Sequence, residues 1–115
     1  MIQVFGTKKC KDTQKALRFF KERGIELQFR DITEKAPSPG ELDDMAKAAG
    51  GFEALIDPKG NAATARGLAY MDYDAREELL RDPLLLRTPI IRAGKGTASV
   101  GADEAAWKRF AKGLD

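Results

Sequence analysis

The chain has 115 residues, of which 43% are hydrophobic and 33% charged, and its net charge is +2. These values are typical of one globular domain and give no reason to expect nucleic acid or a membrane as a partner, because no apolar run approaches the roughly 20 residues that cross a bilayer. One cysteine and no histidine exclude an internal disulfide, a zinc site and Cys–His or Ser–His catalysis. No signal-peptide pattern is seen, so we expect a cytoplasmic protein, and we also expect a monomer.

The N-terminal third predicts a strand, a helix and a second strand, which together have the size of a βαβ unit. Residues 2–5 are mostly apolar, as in a buried strand, and the pattern of residues 27–32 predicts the second strand. Residues 11–23 carry apolar side chains at helical spacing, and Gly24 fits the position just past a helix end.

The middle of the chain, at about 38–83, predicts a helical insertion. Ser38 and Glu41 form a capping-box pattern around Pro39, and this predicts a helix that runs to about residue 49. A turn at 57–60, a short helix at 62–67 and a helix capped by Asp72 or Asp74 follow. The acidic pairs at 43–44 and 77–78 are expected on exposed helix faces.

The last third predicts a hairpin and a helix. Strands at 89–92 and 97–100 flank a glycine-containing turn, and a helix at about 103–112 places Trp107 and Phe110 in the core. We therefore expect one α/β domain, residues 1–115, in the order βαβ, helical insertion, ββα. Its mixed four-stranded sheet would carry helices on both faces.

A cysteine at the first strand-to-helix turn and an X-Pro bond before the third strand are the arrangement of thioredoxin-like folds. The segment 7–16, Thr-Lys-Lys-Cys-Lys-Asp-Thr-Gln-Lys-Ala, resembles the N-terminal motif of the arsenate reductase and Spx-like (ArsC-like) family of this superfamily. Further segments at 24–32, 55–68, 86–91 and 94–101 are similar to that family in the same order, so the resemblance spans nearly the whole chain.

Cys10 is the candidate nucleophile. Unpaired amides and the dipole at the start of a helix favour a negative charge, and so would Lys8, Lys9 and Lys11, whereas Asp12 subtracts from that effect. We therefore predict a lowered pKa for Cys10 and a site suited to an oxyanion. The alternative is a buried structural cysteine.

The resemblance implies a second part of the site, at the X-Pro bond. It implies that Thr88-Pro89 is cis and lies beside Cys10, where the Thr88 backbone can pair with substrate; the alternative is a trans proline that starts a strand. The candidate substrate- or anion-binding residues are Lys8, Lys9, Lys11, Asp12, Thr13, Arg87, Thr88 and Pro89. We expect no metal site.

The chain departs from both branches of the family. Where arsenate reductases place arginines, this sequence has Thr88, Asp57 and Gly101, and Arg87 should face the opposite way from Thr88. Other basic residues could compensate or could simply be solvated: Lys59, Arg66 and Arg92. The Spx redox switch needs a second cysteine where this chain has Thr13, so that switch is absent.

Two functions remain open from the sequence. The first is a monothiol oxidoreductase without a bound cofactor, whose Cys10 is resolved by an external thiol, either glutathione as a co-substrate or a glutaredoxin-type reductant. The second is a non-catalytic, Spx-like module that binds a partner protein. Cys10 in its basic loop favours the first, and the missing arginines favour the second.

Overall fold

The structure is a computed structural model, and it describes residues 1–113. Four strands form one sheet: β1 (Ile2–Gly6), β2 (Leu27–Asp31), β3 (Ile90–Arg92) and β4 (Ala98–Val100). Their spatial order is β2-β1-β3-β4. The β1 strand pairs in parallel with β2 and antiparallel with β3, and β3 pairs antiparallel with β4. The predicted mixed four-stranded sheet is confirmed.

Five α-helices surround the sheet: α1 (Lys11–Glu22), α2 (Pro39–Ala49), α3 (Asn61–Arg66), α4 (Ala75–Arg81) and α5 (Glu104–Lys112). The capping box of Ser38 is present, and Asp74 rather than Asp72 caps α4. Within residues 1–113 no helix is both long and apolar enough to cross a membrane. Three short 3-10 helices, at Glu53–Leu55, Leu68–Tyr70 and Pro83–Leu85, were not predicted.

The sheet separates two hydrophobic clusters because successive strand residues face opposite sides. Val4 pairs with Ile91 on the side covered by α1 and α5, whereas Phe5 pairs with Ile90 on the side covered by α2, α3 and α4. Trp107 is fully buried in the first cluster, and Phe110 packs against it, as predicted. The helical insertion therefore closes one face of the sheet.

The expectation that both acidic pairs lie on exposed faces was wrong for one member of each pair. Asp44 accepts from Arg92 Nε at 2.8 Å and from the Gly96 amide at 3.0 Å, which ties α2 to the β3–β4 hairpin. Glu78 is only 8% exposed and forms an ion pair with Arg66. Charged side chains can be buried when they are paired, and a single sequence does not show the partner.

Candidate active site

Cys10 occupies the N-cap position of α1, directly after the loop that leaves β1. Its amide donates to the Thr7 carbonyl at 3.2 Å, and its own carbonyl accepts from the Gln14 amide at 3.0 Å. The Gln14 side chain closes the loop by donating to the Lys8 carbonyl at 2.6 Å. Cys10 is partly exposed, so the alternative of a buried structural cysteine does not describe it.

Thr88, which is 78 positions from Cys10 in the sequence, contacts the sulfur of Cys10. Its Oγ1 donates to Cys10 Sγ at 3.1 Å, and its carbonyl oxygen lies 3.9 Å from the same sulfur. The Thr88-Pro89 bond is cis, as predicted. Pro89 is buried, and its carbonyl accepts from the Gly101 amide at 2.9 Å. These hydrogen bonds hold the segment before β3 next to the start of α1.

The pKa of Cys10 is lowered by its hydrogen bonds. Partial burial acts in the opposite direction and would raise the pKa, but the side chains of Thr13 and Thr88 and the amides of Thr13 and Asp12 outweigh it. The predicted direction is therefore confirmed, and so is the contribution of the helix start. Lys8, Lys9 and Lys11 have exposed side chains, and the causes of the shift are hydrogen bonds rather than these lysines.

Thr13 lies beneath the cysteine and is fully buried. A Cβ atom added at Gly6 would lie 2.3 Å from Thr13 Oγ1, so the end of β1 leaves room for this side chain only because residue 6 is glycine. Within the described residues Thr13 Oγ1 has no hydrogen-bond partner of good geometry. The nearby thiolate is therefore the acceptor to which this hydroxyl can turn. The Thr13 side chain therefore acts on the Cys10 sulfur, and because it is buried it cannot make the predicted contact with a substrate.

Two grooves adjoin the Cys10 loop. One, of about 450 Å³, is lined by Thr7, Ile32, Asp57, Gly60, Asn61, Ala62, Leu84, Leu86 and Thr88. The other, of about 510 Å³, is lined by Thr7, Lys8, Lys9, Asp31, Thr33, Glu34 and Leu84. Thr7 and Leu84 belong to both grooves. The sequence analysis did not identify Leu84 as a groove residue. It could have been noticed as an apolar residue directly after Asp82-Pro83, where a helix was predicted to end.

The basic residues that could have replaced the missing arginines are occupied elsewhere or exposed. Arg66 pairs with Glu78, and Arg92 Nε lies 2.8 Å from Asp44 Oδ2. Lys59 is exposed in the turn before α3. Arg87 is exposed, and its side chain lies over Gly101: a Cβ added there would be 3.3 Å from Arg87 Cδ. Within residues 1–113 no group of three or more Cys, Asp or Glu side chains could hold a metal ion.

The model of the ArsC family matches residues 5–110 of the chain. The protein belongs to the ArsC family. No curated protein matches the sequence. Solved ArsC-like structures share the fold, including an arsenate reductase from Vibrio cholerae, at a TM-score of 0.79 and 20% identity over 93% of this chain and 95% of that chain.

Two further solved structures agree with this assignment. An ArsC family-related protein from Bacteroides fragilis has a TM-score of 0.83 at 19% identity, covering 95% of this chain and 96% of its own. An arsenate reductase (ArsC) related protein from Brucella melitensis has a TM-score of 0.68 at 23% identity, covering 94% of this chain and 92% of its own. The TM-scores establish the thioredoxin-like fold, and identities this low leave the substrate open.

Proposed function

We propose that this ArsC family member is a monothiol oxidoreductase that uses the Cys10 thiolate on a disulfide or thiolated substrate in a reducing compartment such as the cytoplasm. The supporting observation is the Thr88 hydroxyl, which donates to Cys10 Sγ at 3.1 Å and also lines a groove. A partly exposed thiol with a lowered pKa beside a groove has the properties that nucleophilic thiol chemistry requires.

The reaction would be two successive thiol–disulfide exchanges. The Cys10 thiolate attacks one sulfur of the substrate disulfide, the old S–S bond breaks, and the other sulfur leaves as a thiolate. Because the chain has one cysteine, the mixed disulfide on Cys10 must be cleaved by an outside thiol. Glutathione or a glutaredoxin-type protein would supply that thiol, and no bound metal or cofactor takes part in either exchange.

The charges at the site support a disulfide over arsenate as the substrate. Arsenate would bring its negative charge next to a thiolate, and this family's arsenate reductases offset that charge with arginines. At the corresponding places this chain has Thr88, Asp57 and Gly101, and Arg66 and Arg92 are held in ion pairs. A disulfide sulfur carries no net charge, so its approach to Cys10 needs no arginine cradle.

Reaction with glutathione disulfide tests the proposal. We expect a single glutathione adduct on Cys10, or a dimer linked through Cys10, with no internal product, and intact-protein and peptide mass spectrometry would identify both. Glutathione should then release the adduct. Cys10→Ser is the matched control and should stay unmodified. If the wild-type protein also stayed unmodified in a moderate excess of glutathione disulfide at neutral pH, Cys10 would not be the nucleophile that we propose.

A non-catalytic module that binds a partner protein is the second candidate function. One observation favours it: Tyr70, the last residue of the second 3-10 helix, is 95% exposed, and Met71 directly after it is 47% exposed. An exposed aromatic next to a methionine is suited to a protein contact. A Tyr70→Ser variant that kept full thiol reactivity in the alkylation assay but no longer bound a partner protein would favour this role over the oxidoreductase.

A further inference from the structure

The first groove beside Cys10, of about 450 Å³, contains one charged lining residue, Asp57. Its Oδ1 accepts from the Lys59 amide at 3.1 Å. Within residues 1–113 no basic side chain forms an ion pair with Asp57. The groove therefore offers a negative charge that has no ion-pair partner among the described residues.

Asp57 is held in a fixed relation to Thr88. The Asp57 amide donates to the Leu85 carbonyl at 2.9 Å, and the Arg87 amide donates to the Leu55 carbonyl at 2.7 Å. Between these two bonds, Ile56 and Leu86 form an antiparallel bridge. The segment that carries Asp57 is thus paired with the segment that leads into Thr88. Asp57 lies opposite Leu85, and Thr88 follows directly after Arg87, so both residues adjoin one short hydrogen-bonded ladder.

The surroundings of Asp57 let its charge act on a bound molecule. Ile32, Leu84 and Leu86 line the same groove, and apolar walls strengthen an electrostatic interaction relative to open water. The second groove differs from the first, because it is lined by two basic residues, Lys8 and Lys9, and by two acidic ones, Asp31 and Glu34. Because the second groove carries charges of both signs, it should not select between cationic and anionic substrates. Any preference for the charge of a substrate should therefore come from Asp57 in the first groove.

We propose that Asp57 determines the specificity of Cys10 for disulfides that carry a positively charged group, such as an ammonium, a few bonds from the sulfur. This inference rests on the proposed function. During exchange the Cys10 sulfur is oxidised from thiolate to disulfide, and the departing half of the substrate is reduced to a thiolate that takes a proton from water. The ammonium group would lie against the Asp57 carboxylate while its sulfur meets Cys10. A substrate carboxylate in the same place would be repelled.

Three small disulfides that differ mainly in charge test this specificity: cystamine, hydroxyethyl disulfide and dithiodipropionate, which are cationic, neutral and anionic. The rate of mixed-disulfide formation on Cys10 is measured for each at low ionic strength. In Asp57→Asn the amide oxygen can still accept from the Lys59 amide. We expect this variant to lower the ratio of the cystamine rate to the hydroxyethyl disulfide rate by about three- to tenfold. The ratio for dithiodipropionate should rise.

A ratio of rates is the appropriate readout because any change in the acidity of Cys10 affects all three disulfides alike. Glu53→Gln is the matched control, since it removes one exposed negative charge outside the groove and should keep the wild-type ratios. High salt should shrink the effect of Asp57. Equal ratios in Asp57→Asn and wild type would overturn the inference while leaving the proposed function intact. Failure of Cys10 to react even with the neutral disulfide would instead overturn the proposed function.

Discussion

The acidity of Cys10 depends on two threonine hydroxyls, one from the next turn of α1 and one from the segment before β3. Thr88 donates to the sulfur at 3.1 Å, and Thr13 lies one helical turn beyond the cysteine. Both hydroxyls lower the pKa of Cys10, and together with two amides they overcome the effect of burial. A hydroxyl donates a stronger hydrogen bond to a thiolate than to a thiol sulfur, which is a weak acceptor, so each hydroxyl shifts the equilibrium toward the thiolate.

Replacing Thr88 by valine should raise the pKa of Cys10, because valine keeps the shape of threonine and removes the donor. The pH midpoint of alkylation by iodoacetamide should move upward, and the rate at neutral pH should fall. Thr7→Val is the matched control, since Thr7 lines the same groove and binds Cys10 only through its backbone carbonyl. An unchanged midpoint in Thr88→Val would mean that the 3.1 Å contact does not influence the thiolate.

Gly6→Ala should destabilise the protein, and it should also displace Thr13, whose side chain lowers the pKa of Cys10. The new methyl group would lie 2.3 Å from Thr13 Oγ1 and 2.7 Å from Thr13 Cγ2. Overpacking of this kind costs about 1–3 kcal/mol, which urea unfolding measures. Gly40→Ala, in α2, is the control, because a Cβ there meets nothing within 4 Å. Thr13→Ala should restore part of the stability of Gly6→Ala, and two additive losses would show that the two residues do not clash.

Local sequence patterns predicted the position of Cys10 at the start of α1, but they could not give the role of Gly6. Cys10 and the start of α1 follow from residue types within one short segment. The contact between Gly6 and Thr13 depends on how closely β1 and α1 approach, and that distance is set by packing over the whole sheet. For the same reason Thr13 could be recognised as a missing second cysteine, whereas its burial beneath the sulfur could not.

The elements are joined by ion pairs that link the insertion to the sheet. Arg30 of β2 binds Glu41 of α2 through two hydrogen bonds of 2.7 and 3.1 Å. Glu41 also accepts from the Ser38 amide at 2.9 Å, so it serves the capping box as well. The Arg30 guanidinium has the largest effect among these contacts, which together lower the pKa of Glu41 to about 2.

Glu41→Gln should therefore lower stability at neutral pH by about 2–3 kcal/mol, because glutamine keeps the capping geometry and loses the charge. The lowered pKa of Glu41 contributes stability above its ordinary pKa of 4.5, and this contribution is lost as the pH falls through about 2. The difference from wild type should shrink over that range, which urea unfolding at several pH values would measure.

Asp43→Asn, on the same helix, is the control for this measurement. The Asp43–Arg76 pair has side chains that are 49% and 41% exposed, and exposed pairs contribute less than about 1 kcal/mol. We expect only a small change in stability from this variant. A loss in Glu41→Gln that stayed constant from neutral to acidic pH would contradict the assigned role of the Glu41 charge.

The general architecture was predictable because it rests on local periodicity and on strong helix signals. The order βαβ, insertion, ββα and the capping box at Ser38 appear in the structure as predicted. The three 3-10 helices were missed because such short segments have no periodicity to read. The ion-pair partners of Asp44 and Glu78 were missed because ion pairs between elements depend on tertiary packing.

The resemblance to arsenate reductases implies arginines at three positions where this chain has Thr88, Asp57 and Gly101, and we predict that this protein reduces arsenate slowly. Two unit charges about 4 Å apart repel by about 4 kcal/mol at an effective dielectric of 20. Thr88 and Asp57 offer no positive charge to offset this, and at Gly101 a φ of 74° strains any residue with a side chain, while an added Cβ would lie 3.3 Å from Arg87 Cδ. In a coupled assay with glutathione and glutaredoxin, turnover should stay well below about 1 per second.

Asp57→Arg should raise that turnover above wild type, and Asp57→Asn should give an intermediate value, because the first variant adds a bidentate cation and the second only removes the repulsive carboxylate. Circular dichroism of all three proteins would show that the turn at Asp57 still folds. Wild-type turnover of about 1 per second or faster would contradict the prediction. So would equal rates in the three proteins, because the charge at position 57 would then have no influence on an oxyanion at Cys10.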